Sequence, residues 1–160
     1  MDNKSVIKLS SNETPLGTSN KALEAIKNSA SNPARYPDGS AQQLRGAIAK
    51  FHNLNIDNII CGNGSDEILS IFANCFAGPG DEIVYSQHGF LVYPIAAKAA
   101  GATPIVAAEK NYKADVREIL KVCSNKTKIC FIANPNNPTG TYLTRQELIS
   151  LRKNYLKIVF

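Results

Sequence analysis

The chain has 160 residues, the length of one ordinary domain. Hydrophobic residues make up 44% and charged residues 19%, a balance that supports a buried core and excludes a disordered chain. No apolar run approaches the roughly 20 residues of a membrane span, and the +5 net charge is dispersed, without the basic runs and interleaved aromatics of a nucleic-acid surface.

The N-terminal Met1-Asp-Asn-Lys-Ser has no apolar signal core, so a cytoplasmic protein is expected. Cys61, Cys75, Cys123 and Cys130 form no C-x-x-C pair and fall within apolar patterns. They read as reduced core thiols rather than metal ligands. The glycosylation patterns at Asn63 and Asn125 have no meaning in such a compartment. There is no internal repeat and no low-complexity linker.

Residues 1–17 contain LSSNETPLG, an extended arm with a Pro-Gly turn. Ser19 or Asn20 caps a short helix containing Leu23, Ile26 and Ala30. In residues 32–39, which end in RYPDG, Pro33 and Pro37 fix an extended path and Asp38-Gly39 makes a turn. Ser40 to Gln43 reads as a capping box opening a helix with Leu44, Ala47, Ile48 and Phe51 inward. Ile59-Ile60 reads as a strand end, broken by Gly62 and Gly64. A helix then carries Ile68, Leu69, Phe72, Cys75 and Phe76 on one face. Gly78-Pro79-Gly80-Asp81 stops it.

Residues 82–85 read as a buried strand, 86–90 as a loop at its C-terminal end, and 91–100 as a helix closed by Gly101. A strand over 104–107 follows, then an amphipathic helix over 115–123. Residues 128–133 form a strongly apolar strand that runs into NPNNPTG, too rich in Pro and Asn to be helix or strand. Thr144 to Glu147 is a second capping box, its helix running to about Lys153, and 156–160 starts like another buried strand.

Strands alternating with helices imply an α/β sheet covered on both faces. Ligands of such sheets sit outside the C-terminal strand ends. Three loops occupy such ends: residues 62–66, 86–90 and 134–140. The first is a glycine loop entering a helix, which exposes unpaired backbone amides and makes an anion site. It is neither a P-loop, which needs a lysine, nor the dinucleotide fingerprint, which needs a glycine where Glu67 stands. Read from its residues alone, it is equally a capped core helix after a tight turn. Together the three loops suit a planar, phosphorylated, hydrogen-bonding ring.

The segments LSSNETPLG, RYPDG, GNGSDE, HGFLVY and NPNNPTG, in this order, resemble the aspartate aminotransferase fold family, whose members use pyridoxal 5′-phosphate (PLP). Within it they are most similar to the histidinol-phosphate aminotransferases, over residues 6 to about 153. The implied fold is the α/β PLP-dependent transferase fold type I. Residues 1–35 would form an arm and helix, and 36–160 a truncated PLP-binding large domain with an incomplete sheet.

By this resemblance the amides of Gly64, Ser65 and Asp66 hold the cofactor phosphate. Phe90 stacks on the pyridine, Asn137 hydrogen-bonds the phenolic oxygen, and Tyr36 crosses to the cofactor phosphate of the partner in a homodimer. His88 stands where many relatives have proline, and with His52 on a helix end no catalytic histidine pair is expected. The implied reaction is amino transfer between L-histidinol phosphate and 2-oxoglutarate, an amino donor and a 2-oxo acid. The Schiff-base lysine, an aspartate and an arginine lie further along in relatives, so no catalytic residue is assigned. The 160 residues are expected to be inactive alone, poorly soluble and at most weak PLP binders. Two alternatives stand beside this: another fold-type-I PLP enzyme, such as a different aminotransferase or a threonine-phosphate decarboxylase, and a non-catalytic gene fragment.

Overall fold

The computed structural model describes residues 7, 11–31 and 33–154. Residues 9–10 of the first motif and the strand expected at 156–160 lie outside the described residues.

The centre is a parallel sheet of β1 (Glu82–Ser86), β2 (Thr103–Ala107) and β5 (Thr127–Phe131), in the order β2-β1-β5. Strand β1 has both neighbours and pairs Ile83 with Pro104 and Ile129, and Val84 with Ile105 and Cys130. Successive side chains point to opposite faces, so Ile83 and Val84 enter different cores. On one face Ile83, Ile129 and Phe131 pack with Ala73 of α3 (Gly64–Phe76) and Tyr93, Ala96 and Ala97 of α4 (Val92–Ala99). On the other, Val84, Ala107 and Cys130 pack with Ile119 of α5 (Val116–Val122) and Leu151 of α6 (Arg145–Asn154). Burial on both faces explains why β1 and β5 read as unbroken apolar runs. Pro104 has no N–H to give a ladder, and β2 pairs with β1 alone among the described strands.

The caps follow from the side chains. Asp115 accepts the Arg117 amide at 2.8 Å and starts α5. Thr144 and Glu147 form a reciprocal capping box: the Glu147 carboxylate accepts the Thr144 amide at 2.6 Å, and the Thr144 hydroxyl accepts the Glu147 amide at 3.3 Å. Glu147 also binds Lys113 at 2.9 Å. The Lys113 ammonium and the Thr144 donors hold the Glu147 carboxyl down at about 2.

Several expectations are corrected. Helix α2 (Gln42–His52) begins after Ala41, and its cap is Asp38, whose carboxylate accepts the Ser40 and Gln42 amides at 2.9 Å each. A bond from the Ser40 hydroxyl, with those from the two amides, holds the Asp38 carboxyl below its usual range. Leu44 and Phe51 are not inward: they are 54% and 84% exposed. Helix α1 (Asn20–Ser29), capped by Ser19, also buries none of its residues. Ile59-Ile60 pairs with no strand among the described residues: Ile59 is extended, and its carbonyl accepts the Arg45 guanidinium at 2.8 Å instead of a ladder donor. Cys75 is exposed and only Cys130 is fully buried, so the thiols are not uniformly core.

A short hairpin, β3 (Glu109–Lys110) with β4 (Lys113–Ala114), was not expected. Its turn residues Asn111 and Tyr112 both have positive φ, 54° and 60°. That is the mirror-image turn usual for Asn-Gly, and tyrosine in the second place hides it. No helix among the described residues is long and apolar enough to cross a membrane.

Two outcomes follow. Ile83→Ala removes a side chain at the crossing of both strand pairs, and should cost about 2–5 kcal/mol in urea unfolding. Phe51→Ala in the same chain should stay within about 0.5 kcal/mol, as for any exposed site. The second outcome concerns acid. The depressed Glu147 carboxyl stabilises the fold above its ordinary 4.5, and this is lost as pH falls from there through about 2. Glu147→Gln should flatten the acid limb of a stability-against-pH curve over that window.

Candidate functional site

The first candidate loop is the entry to α3. Gly64 sits at φ 79° as the first helical residue, and its amide is engaged with the Gly62 carbonyl at 2.9 Å. Asn63, in the cap position, makes no side-chain cap bond. Its own amide goes to the Glu67 carboxylate. A Cβ at Gly62 would lie 2.9 Å from both the Glu67 carboxylate and Ile68 Cδ1, so those two side-chain ends would have to move to admit one. The amides of Ser65 and Asp66 belong to the first turn and have no intrahelical acceptor. Both residues are exposed, so this turn can receive an anion from outside.

The second loop follows β1. Gly89 turns it so tightly that a Cβ would meet the Ser86 carbonyl at 2.9 Å. Phe90 is half-buried and meets Tyr93 edge-on at 6.0 Å, while Tyr93 stacks on Phe131 at 5.0 Å. The phenyl ring is therefore tied to the core as well as facing the loop. His88 is held by Glu109, whose side chain is 2% exposed. The Glu109 carboxylate accepts the His88 amide at 2.9 Å and contacts His88 Nδ1 at 2.8 Å. Burial by itself would raise the Glu109 carboxyl. Hydrogen bonds from the His88 amide and ring and from Ser86 outweigh burial and leave it below its ordinary 4.5.

The third loop follows β5. The Asn134 carboxamide clamps Leu143, donating to its carbonyl at 3.1 Å and accepting its amide at 2.7 Å. Asn136 is buried and donates to the His88 carbonyl at 3.1 Å and to Thr139 Oγ1 at 2.9 Å. The Thr139 hydroxyl then donates to Thr141 Oγ1, which donates to the Tyr112 carbonyl at 2.8 Å. One chain of donors thus links this loop to the loop after β1 and to the hairpin.

Between the second and third loops lies a cavity of about 310 Å³, lined by His88, Gly89, Phe90, Leu91, Asn137 and Pro138. It brings together two of the sequence-derived candidates, Phe90 and Asn137. Gly64, Ser65 and Asp66 are outside its lining, on a helix that packs against α4 and β5, the neighbours of both loops. Tyr36 is fully exposed and meets none of the others. A larger cavity of about 640 Å³, beside Lys110, Lys113, Arg117 and Glu147, contains none of the candidates. Sequence reasoning missed Glu109 and Asn136. The available signal for Glu109 was a lone carboxylate directly after an apolar strand.

The chain matches the family of class I and II aminotransferases over residues 4–159. It is 54% identical over 147 residues to the histidinol-phosphate aminotransferase of Paramagnetospirillum magneticum, covering 92% of this chain and 40% of that protein. It is 51% identical over 148 residues to that of Erythrobacter litoralis, with the same coverage. It thus spans about 40% of the length of the curated relatives it matches. Among solved structures, the histidinol-phosphate aminotransferase of Sinorhizobium meliloti, in complex with pyridoxal 5′-phosphate, superposes with a TM-score of 0.83 at 22% identity, over 89% of this chain and 39% of that one. The described sheet and its helices are part of the fold-type-I architecture of those enzymes. The chain belongs to the aminotransferase class I and II family.

Proposed function

We propose that this chain forms the phosphate-holding and ring-facing part of a PLP-dependent aminotransferase of histidine biosynthesis, exchanging an amino group between L-histidinol phosphate and 2-oxoglutarate. One observation carries the substrate reading: identity of 51–54% to curated histidinol-phosphate aminotransferases across 92% of this chain.

The residues present fit the cofactor. The Ser65 and Asp66 amides, at an uncapped helix N-terminus, suit a phosphate dianion without a mobile cationic side chain. Gly64 contributes its left-handed backbone to the turn, its own amide being taken by the Gly62 carbonyl. Phe90 supplies an aromatic wall and Asn137 an exposed carboxamide on one cavity. Its volume of about 310 Å³ lies at the lower end of small-molecule sites. Bound there, the cofactor supplies an electron sink for the carbon that loses and regains its proton. Asn137 would donate to the phenolic oxygen and set the ring's tilt, while Phe90 would exclude water from one side. Tyr36 would reach the cofactor phosphate of the partner in a cytoplasmic homodimer; its complete exposure here suits a residue that acts on a second chain.

Proton movement between substrate and cofactor needs an amine at the cavity. None of the residues lining it is a lysine. Residues 1–160, expressed alone, should therefore form no glutamate from histidinol phosphate and 2-oxoglutarate with added PLP, in host material lacking its own enzyme. Turnover above a no-protein control contradicts this.

The phosphate assignment has its own test. Pyridoxine 5′-phosphate keeps the ring, phenolic oxygen and phosphate but lacks the aldehyde that would condense with surface lysines. Gly64→Val forces a β-branched residue into left-handed backbone at a cost of roughly 1–2 kcal/mol. That strain displaces the Ser65 and Asp66 amides, so binding of this analogue in equilibrium dialysis should weaken about tenfold. Unchanged binding removes the turn from the site.

A further inference from the structure

The Glu109–His88 pair is not used by the reaction outlined above, yet His88 lines the same cavity as Phe90 and Asn137. Glu109 follows β2, one of the two outer strands of the described sheet, and its carboxylate is nearly sealed from solvent. A buried carboxylate is costly unless its lone pairs are satisfied. Here they are, by the His88 backbone amide, the His88 ring and Ser86. Ionised, the group has acceptors only. The ring nitrogen facing it must therefore carry a proton. A neutral His88 then has hydrogen on Nδ1 and a bare lone pair on Nε2, at the ring edge away from Glu109. No described residue partners Nε2, while the ring's other neighbour, Tyr112, lies 5.1 Å away between centroids. The His88 carbonyl is fixed too, by Asn136 from the opposite loop. Amide, carbonyl and ring of one residue are thus all held, by partners on different elements.

We propose that Glu109 is a positioning residue for the cofactor cavity: it fixes the plane and the Nδ1–H tautomer of His88, so that the cavity wall presents an acceptor nitrogen to the phosphorylated ring bound beside Asn137. This rests on the PLP reading above and deepens it.

A carboxamide in place of Glu109 makes the inference sharp. Glu109→Gln keeps the shape but offers one acceptor and one donor group. The backbone amide of His88 cannot change its hydrogen, so the carboxamide oxygen must serve it. The NH2 then faces Nδ1, and the ring must switch to the Nε2–H tautomer. Glu109→Asp keeps two acceptors and should keep Nδ1–H.

The experiment is nitrogen-15 NMR of the histidine side chains in the 160-residue chain, above about pH 8.5, where an ordinary imidazole is neutral. The only other histidine, exposed His52, is the internal reference. In the wild type His88 should show the Nδ1–H pattern and His52 the Nε2–H pattern of free histidine. Adding pyridoxine 5′-phosphate should shift the His88 ring nitrogens together with the Ser65 and Asp66 amides. Glu109→Gln should invert the tautomer and weaken binding severalfold, with His52 unmoved, and Glu109→Asp should restore both. An Nε2–H pattern at His88 in the wild type overturns the proposal, with no variant needed. Shifts at Ser65 and Asp66 with His88 unmoved also overturn it and leave the cofactor reading standing. If the analogue moves none of them, both fail together.

Discussion

The side-chain amide of Asn136 donates to the backbone carbonyl of His88, and the candidate site depends on that link. It joins two loops that follow different strands, β1 and β5, at the same end of a parallel sheet. Without it, each loop is a separate surface turn and the cavity between Phe90 and Asn137 has no fixed width. The bond is part-buried, so losing its donor would cost about 1 kcal/mol or more, a noticeable share of the stability of a small domain. The same carboxamide starts the run through Thr139 and Thr141 to the hairpin at Tyr112, so three segments are set by one buried polar group.

The sheet makes this possible because β1 is enclosed. Ile83 and Val84 are fully buried on opposite faces, each with strand partners on both sides. A strand so fixed delivers its C-terminal residue, Ser86, to a defined place, and Gly89 then turns the chain where a side chain would collide. By contrast, the elements before α3 are weakly anchored. Helix α1 buries nothing, Phe51 and Leu44 face outward, and Tyr36 is fully exposed. The well-buried part of the described chain is the part that carries the cavity.

Much of the fold was legible because its signals are local. Strands β1, β2 and β5 are short apolar runs bounded by Gly, Pro or Asn, and α5 and α6 carry their caps in sequence. The candidate loops were legible for the same reason, since Gly62, Gly64, Pro135 and Pro138 punctuate them. What was not legible depends on partners distant in sequence. Glu109 lies 21 residues from His88 and Asn136 lies 48 from it. No periodicity predicts either pairing. The inward faces assigned to Leu44 and Phe51 failed because amphipathic spacing says that a face could be buried, not that a partner exists. The hairpin was hidden by Tyr112 in a position where glycine is usual. Gly64 was taken as an amide donor, but its backbone conformation gives that amide to Gly62.

The central claim is that the α3 N-terminus and the two tied loops hold one phosphorylated ring. The most direct measurement is a crystal structure of this chain grown with pyridoxine 5′-phosphate. The phosphate should lie on the Ser65 and Asp66 amides, with the ring between Phe90 and Asn137 and the Asn136–His88 bond intact. Phosphate density at the basic cavity beside Lys110 and Arg117, with the α3 turn and the Phe90–Asn137 cavity empty, would contradict it.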